Sequence, residues 1–191
     1  MTDHVQRTRQ HDVLFGIRRS VRYHARRRRF FDRLRKGIVF LTVVTGVATL
    51  VLLLSHVPPV WSMVTAVLVS LFGTIDLILN TAEGARVHGE LMRKFMELEM
   101  GIVLIGESLS DQQLREFASQ RLRIELEEPP IMRVLDCVCH NELVQAMGQG
   151  KEYEVRLTVA QRFFANFFDI CPGEIRAVPY GNIFSGEPAT R

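Results

Sequence analysis

The chain has 191 residues, of which 47% are hydrophobic and 24% charged, a length suited to one domain with at most a small appendage. This hydrophobic content excludes an intrinsically disordered chain. The formal net charge of +3 conceals two opposed regions. Residues 1–36 carry 12 Lys and Arg against 3 acids, and residues 37–191 carry 12 against 18. A basic segment of this kind predicts contact with an anionic surface.

Two long apolar runs follow the basic segment. Residues 37–57 contain no formally charged side chain, and as a helix they would extend about 31 Å, close to the thickness of a bilayer core. Residues 60–79 form a second run whose only acid is Asp76. Two such runs in tandem predict a transmembrane helical hairpin over residues 37–79, in preference to a soluble protein with a very apolar core. A signal peptide does not fit, because the first run is too long and starts too late.

The charges that flank the hairpin predict its orientation. Basic residues lie on both outer sides of the two runs, whereas the turn at Pro58 and Pro59 has none. The flanking residues are Arg33, Arg35, Lys36, Arg86, Arg93 and Lys94. By the positive-inside rule both termini lie in the cytoplasm and the turn lies outside. We therefore expect a multi-pass protein of the inner (plasma) membrane, in which Cys137, Cys139 and Cys171 are reduced thiols.

The rest of the chain is predicted to be all-α and cytoplasmic, without strands or repeats. Residues 1–36 form a basic N-terminal helix, and no helix breaker separates it from the first apolar run, so the two can be one long helix. Residues 80–168 predict a helical bundle. Residues 169–191, rich in proline and glycine, predict a flexible tail.

Within this bundle, apolar residues recur at alternating spacings of four and three, which is typical of packed helices. They are Leu91, Phe95, Leu98, Ile102, Ile105 and Leu109. Ser110 and Gln113 have the spacing of a capping box and predict the start of the next helix. Two more helices are predicted, one over residues 131–147 with a proline pair before it and one over residues 152–168.

One cluster suggests chemistry, the segment from Cys137 through Cys139, His140, Asn141 and Glu142. A structural zinc site needs four ligands, and no second Cys/His pair lies at usable spacing. On a helix the two cysteines project about 200° apart and cannot share a metal. We therefore favour a buried or capping histidine and polar contacts between helices. Because the phosphate-binding loop and the hydrolase and metalloprotease motifs are also missing, we predict no enzyme activity, no cofactor and no metal.

The basic segment ends in a lipid-facing basic arm. It consists of Arg26, Arg27, Arg28, Arg29, Arg33, Arg35 and Lys36. Each charge is worth about 1 kcal/mol beside anionic headgroups, although nucleic-acid phosphates attract the same side chains. Position favours lipid, because the arm adjoins an apolar run. Some arginines of the segment have an alternative, pairing with acids in residues 83–128.

The second run has one small and polar face, which includes Ser70, Gly73, Asp76 and Asn80. Such a face can pack against the other helix of the hairpin. Alternatively, it lines a pore in a homo-oligomer, with Asp76 at the inner mouth. Asp76 could also be an anchor paired with Arg33 or Lys36, since it lies roughly 25 Å down the helix, near the inner interface.

Several short motifs together suggest a family. They are Tyr23-His24, residues 27–32, Ile75-Asp76-Leu77, Ala85, His88, Leu91, Phe95, Leu98, Glu99, Glu128-Pro129-Pro130 and Cys139-His140-Asn141-Glu142-Leu143. With the proline-marked hairpin, they make the chain, over about residues 12–168, resemble the SLATT group. This group consists of two-helix membrane effectors that accompany bacterial nucleotide-signal synthases and related defence loci. The resemblance implies an effector that oligomerises when a sensor or synthase protein detects infection, and it implies no catalytic residues.

Two functions follow from these observations. One is a membrane effector that oligomerises to permeabilise or depolarise the inner membrane in an anti-phage or stress-signalling system. The other is a membrane-anchored, non-catalytic scaffold whose cytoplasmic bundle recruits a partner. A variant of the first is a retron-type effector restrained by a nucleoprotein, in which the arginines contact nucleic acid.

Overall fold

The computed structural model describes residues 2–55, 57–106 and 109–170. These residues form six α-helices and one short 3-10 turn, and the described part contains no strand. The helices are α1 (Thr2–Leu54), α2 (Pro59–Leu79), α3 (Thr81–Ile105), α4 (Asp111–Glu125), α5 (Arg133–Ala146) and α6 (Val159–Phe164), with the 3-10 turn at Lys151–Tyr153. The all-α prediction is confirmed. The predicted tail starts at residue 169, and its residues from 171 onward lie outside the described part of the chain.

The chain divides into two compact units. Among the described residues, the hairpin unit comprises those between 26 and 88, and the bundle unit comprises residues 2–25 together with those between 89 and 170. Each unit has its own packing.

In the hairpin unit, α1 and α2 carry the two apolar runs. The structure contains two helical stretches long and apolar enough to cross a membrane, and only 6% of the most apolar window in each is buried. α1 is unbroken from its basic start to its apolar end, as the lack of a breaker predicted. α2 begins with Pro59 in its first turn, where a missing N–H costs nothing. A hydrogen bond from Thr49 Oγ1 to Thr65 Oγ1 (2.8 Å) joins the two helices.

A second contact of this unit joins α1 to the start of α3. The ring of Phe31 stacks on His88 with centroids 5.7 Å apart and an angle of 16° between the planes. A Cβ added to Gly84 would lie 3.0 Å from three carbons of the Phe31 ring. Gly84 therefore allows the aromatic ring to lie directly against the α3 backbone.

The bundle unit is built around the predicted apolar spacing on α3. Phe95 and Ile102 are almost fully buried, in a core that also includes Ile17 of α1. The prediction is wrong for Ile105, which ends the helix and is 44% exposed. The next residue, Gly106, has a φ of +100°, a conformation that glycine adopts readily and that ends helices.

Helix α4 begins as predicted and α5 does not. Ser110 caps α4 with the reciprocal hydrogen bonds of a capping box to Gln113. α5 starts at Arg133, two residues later than predicted. Its first N–H groups, those of Arg133 and Val134, donate to the carboxylate of Asp169 at 2.9 and 2.7 Å. A carboxylate is favoured there because it accepts from free N–H groups and complements the helix dipole.

The predicted helix over residues 152–168 is wrong. After the 3-10 turn, residues 155–158 form neither helix nor strand, with extended backbone angles at Glu154 and Thr158 (the extended segment), and only Val159–Phe164 is α-helical. The cause is a pair of hydrogen bonds between the Asn141 side chain and the Val155 backbone, both 2.8 Å. Thr158 then caps α6 through a second capping box with Gln161.

Candidate functional site

The predicted inner-mouth residues lie at the end of α2. Asn80 adopts a left-handed conformation (φ 44°, ψ 50°) and its N–H donates to the Asp76 carbonyl at 2.9 Å. This turn places Thr81, which is 1% exposed, beside the half-buried Asp76. The Thr81 hydroxyl donates to Asp76 Oδ1 at 2.6 Å. Among the described residues, no ion pair joins Asp76 to Arg33 or Lys36, and the partner of its carboxylate is Thr81.

The other two residues of this face are open. Ser70 and Gly73 are both exposed, and a Cβ added to Gly73 would meet nothing within 4 Å. The Ser70 hydroxyl donates to the Ala66 carbonyl of its own helix at 3.1 Å, so it does not require a partner in the lipid or the protein. The single chain therefore leaves room for another helix against Ser70 and Gly73.

The basic arm has a first part whose arginines contact other protein groups and a second part that is exposed. Arg27 lies over the Phe31 ring with its guanidinium carbon 4.7 Å from the centroid, a cation–π geometry, and Arg28 pairs with Asp32 at 3.8 Å. Arg26 and Arg29 also have interactions with protein groups. The last three residues of the arm, Arg33, Arg35 and Lys36, are exposed.

Two arginines that precede the arm hold the bundle unit together. Arg18 Nε pairs with Glu99 Oε1 at 2.7 Å, and Arg19 Nε lies 3.2 Å from Asp136 Oδ1. The pairing of Arg18 follows the alternative that placed acids of residues 83–128 opposite the arginines, whereas Asp136 lies outside that range. Burial raises the pKa of Asp136, and the nearby positive charge of Arg19 opposes this effect.

Sequence analysis missed a buried imidazole–carboxylate pair in the bundle unit. His24 Nε2 lies 3.0 Å from Glu128 Oε1, and the two side chains are 1% and 5% exposed. The His24 ring stacks on Phe95, with centroids 5.6 Å apart and 13° between the planes. The neighbouring Tyr23 hydroxyl accepts from the N–H of Met132 at 3.0 Å. These contacts pack α1 against α3 and against the segment between α4 and α5. The only available signal for this pair was the presence of the Tyr23-His24 and Glu128 motifs. These motifs are far apart in the sequence, so the sequence alone does not indicate that they are in contact.

The Cys-Val-Cys-His-Asn cluster joins α5 to the extended segment. His140 Nε2 hydrogen-bonds to the Tyr153 carbonyl at 3.0 Å, and Asn141 pairs with Val155 as described above. Burial lowers the pKa of His140, and the hydrogen bond to the Tyr153 carbonyl opposes this effect, because the protonated ring also donates to a carbonyl. Burial raises the pKa of Cys137 to about 11, so its thiol is a poor nucleophile. In this cluster, His140 and Asn141 thus make structural contacts with the segment that follows α5.

Comparison with known protein families, with curated proteins and with solved structures finds no match to this chain. Over the described residues, no group of three or more His, Cys, Asp or Glu could hold a metal ion. The features with functional content are the exposed apolar helices, the Asp76–Thr81 turn and the exposed end of the basic arm.

Proposed function

We propose that this protein is a non-enzymatic membrane effector that inserts its hairpin into the inner membrane and oligomerises there to permeabilise it. The observation that carries the proposal is the exposure of the two apolar helices, of which only 6% is buried in either apolar window. A helix from the core of a soluble protein would instead be mostly buried.

The free-energy cost of leaving these apolar side chains in water supports insertion into a membrane. Among the described residues from 39 to 79, twenty large apolar side chains are exposed. Burying such a side chain is worth about 1.5–3 kcal/mol, so exposing all of them to water costs more than the roughly 5–15 kcal/mol by which a domain is stable. A lipid environment removes this cost.

Charge supports an orientation with both termini in the cytoplasm. Arg33, Arg35 and Lys36 are exposed at the start of the apolar part of α1, where they can meet anionic headgroups of the inner leaflet. The turn at Pro58 carries no Lys or Arg, as expected of a translocated segment. The same position makes lipid a better partner for the arm than nucleic acid.

A pore requires several copies, because two helices enclose no lumen. The open face at Ser70 and Gly73 is the part of α2 that suits close helix packing or a water-filled path. Repeated copies would bring Asp76 side chains together as an acidic ring, which favours cations. The hydrogen bond from Thr81 holds each carboxylate at the end of its helix.

The resemblance to the SLATT group agrees with this mechanism and supplies its context. On that resemblance, the trigger is a sensor or synthase protein in an anti-phage or stress-signalling system. The trigger would act on a resting state that is closed or unassembled, since crowded carboxylates repel one another.

Membrane potential in cells that express the full chain tests the activity. Induction should depolarise the inner membrane before lysis, and Asp76→Asn should raise the expression level needed for depolarisation or reduce the preference for cations. The matched control is Asp111→Asn, which changes an exposed acid of the bundle unit paired with Arg9 at 3.9 Å. Thr81→Val should follow Asp76→Asn in direction, because it removes the hydroxyl that orients the carboxylate.

Insertion is tested separately by Ser55→Cys, which should react with an impermeant maleimide from outside intact cells. A full-length protein that inserts with Ser55→Cys labelled but leaves the potential unchanged would favour the scaffold function. Failure of this cysteine to label would contradict the proposed orientation.

A further inference from the structure

α3 carries a second apolar surface that faces away from the core. Its members lie four, three and one residue apart along the helix, and they are Met96 (45% exposed), Met100 (55%), Val103 (60%) and Leu104 (86%). On the opposite side Phe95, Leu98 and Ile102 are buried. A helix that is apolar on both sides is normally covered on both sides, and in the described part of the chain this outer face is left exposed.

We propose that this outer face of α3, defined by the four residues above, binds the same face of a second copy of this chain. The proposal deepens the proposed function by giving its homo-oligomer a contact outside the apolar runs. It rests on that function only in taking both copies to lie in one membrane, where tethering raises their effective concentration.

The charged residues beside this face are already paired within the chain, which favours an apolar partner such as a second copy over a charged one. Glu99 borders the face, and Arg18 already neutralises it at 2.7 Å. Arg93 and Glu97 precede and flank the face and pair with each other at 2.6 Å. A charged partner would have to break these pairs, whereas a second apolar face leaves them intact. Like surfaces meet in twofold dimers, in which each copy offers the same patch.

Shape and area also fit self-association. A groove of about 310 Å³ is lined by Met96, Glu99, Met100, Val103 and Leu104. Leu104 is the most exposed of the four apolar residues, so the partner's Leu104 is suited to enter the groove. From their exposures, complete burial of the four side chains would remove roughly 500 Å² per copy, or about 1,000 Å² for the pair, which is the lower limit for a specific interface. Methionine adds adaptable packing at the centre.

The test compares two leucines of equal exposure. Leu104 and Leu126 are both 86% exposed, and only Leu104 belongs to the face. The full chain, purified in mild detergent, should sediment as a dimer or larger oligomer. Leu104→Arg should weaken self-association at least tenfold, while Leu126→Arg should leave it unchanged. Met100→Asp should repeat the effect of Leu104→Arg, with circular dichroism confirming that helix content is preserved in each variant.

The inference is overturned if the parent chain is monomeric, if Leu104→Arg associates like the parent, or if Leu126→Arg weakens association as much. Membrane potential separates this result from the proposed function. If the chain depolarises cells and Leu104→Arg does not change its self-association, the proposed membrane activity is retained and only this interface is refuted. Self-association through Leu104 in a chain that never depolarises cells would support the interface and contradict the pore.

Discussion

Replacing Asn141 by alanine should release the extended segment at residues 155–158 from α5. The amide of Asn141 is the buried partner of both backbone groups of Val155, donating to its carbonyl and accepting from its N–H at 2.8 Å each. Alanine can do neither. Because Val155 is 8% exposed and Asn141 is 7% exposed, the two backbone groups would be left buried and unpaired.

The size of the effect follows from these two bonds. A buried donor or acceptor that loses its partner costs about 1–3 kcal/mol, so we expect about 2–4 kcal/mol once the segment relaxes toward water. At tenfold per 1.4 kcal/mol, the open state of this segment should become roughly 30- to 700-fold more populated.

Hydrogen exchange of the full chain in detergent, followed on peptides that contain Val155, measures this opening directly. The control is Gln145→Ala, which removes a hydrogen bond of 3.0 Å from the same helix to Glu154 of the same segment. Gln145 is exposed and so is this hydrogen bond, so the control should change the opening by less than about 0.5 kcal/mol. Unchanged exchange in Asn141→Ala, or equal acceleration in Gln145→Ala, would refute the reasoning.

Three other expectations follow from packing and titration. Phe95→Ala should lower the free energy of unfolding of the bundle unit by about 3–5 kcal/mol, because the ring is fully buried, and chemical denaturation measures it; a loss below 1 kcal/mol would contradict the core. Gly84→Val should lower the thermal midpoint in detergent because its side chain meets the Phe31 ring, whereas Gly37→Val, which meets nothing within 4 Å, should not; equal midpoints would disprove the close contact. Burial lowers the pKa of His140, so the unfolded chain binds more protons than the folded chain as the pH falls through the ordinary histidine range. The free energy of unfolding should therefore fall as the pH drops from 7.5 to 5.5. His140→Gln should reduce this pH dependence, and an identical pH dependence in that variant would refute His140 as its origin.

The sequence allowed accurate prediction at several places where a local pattern decides structure. The unbroken α1 follows from the lack of a breaker, and the start of α4 follows from the side chains of Ser110 and Gln113. Burial of Phe95 and Ile102 follows from helical periodicity. Each of these depends on residues within a few turns of one another, which is the range that such patterns cover.

Prediction failed where distant groups decide structure. The segment around Val155 has helix-compatible residues, and its extended conformation comes from the side chain of Asn141 on another helix. One local signal was available and missed, since Thr158 and Gln161 have capping-box spacing. In the candidate site, Asp76 lies in the last turn of α2, and its hydrogen bond to Thr81 depends on the left-handed turn at Asn80. No periodic pattern specifies that turn.

The cap on α5 has a consequence for how the protein is made. Asp169 supplies the carboxylate that accepts from the first N–H groups of α5, and it comes 36 residues after Arg133 in the chain. During translation, α5 therefore leaves the ribosome with its N-terminus uncapped, and its cap arrives only after α6 has been synthesised. The apolar helices emerge much earlier, so on the proposed function the membrane-insertion machinery engages them before the bundle unit can close. On that function, a ribosome that stalls before Asp169 would leave an inserted hairpin whose bundle lacks the cap of α5.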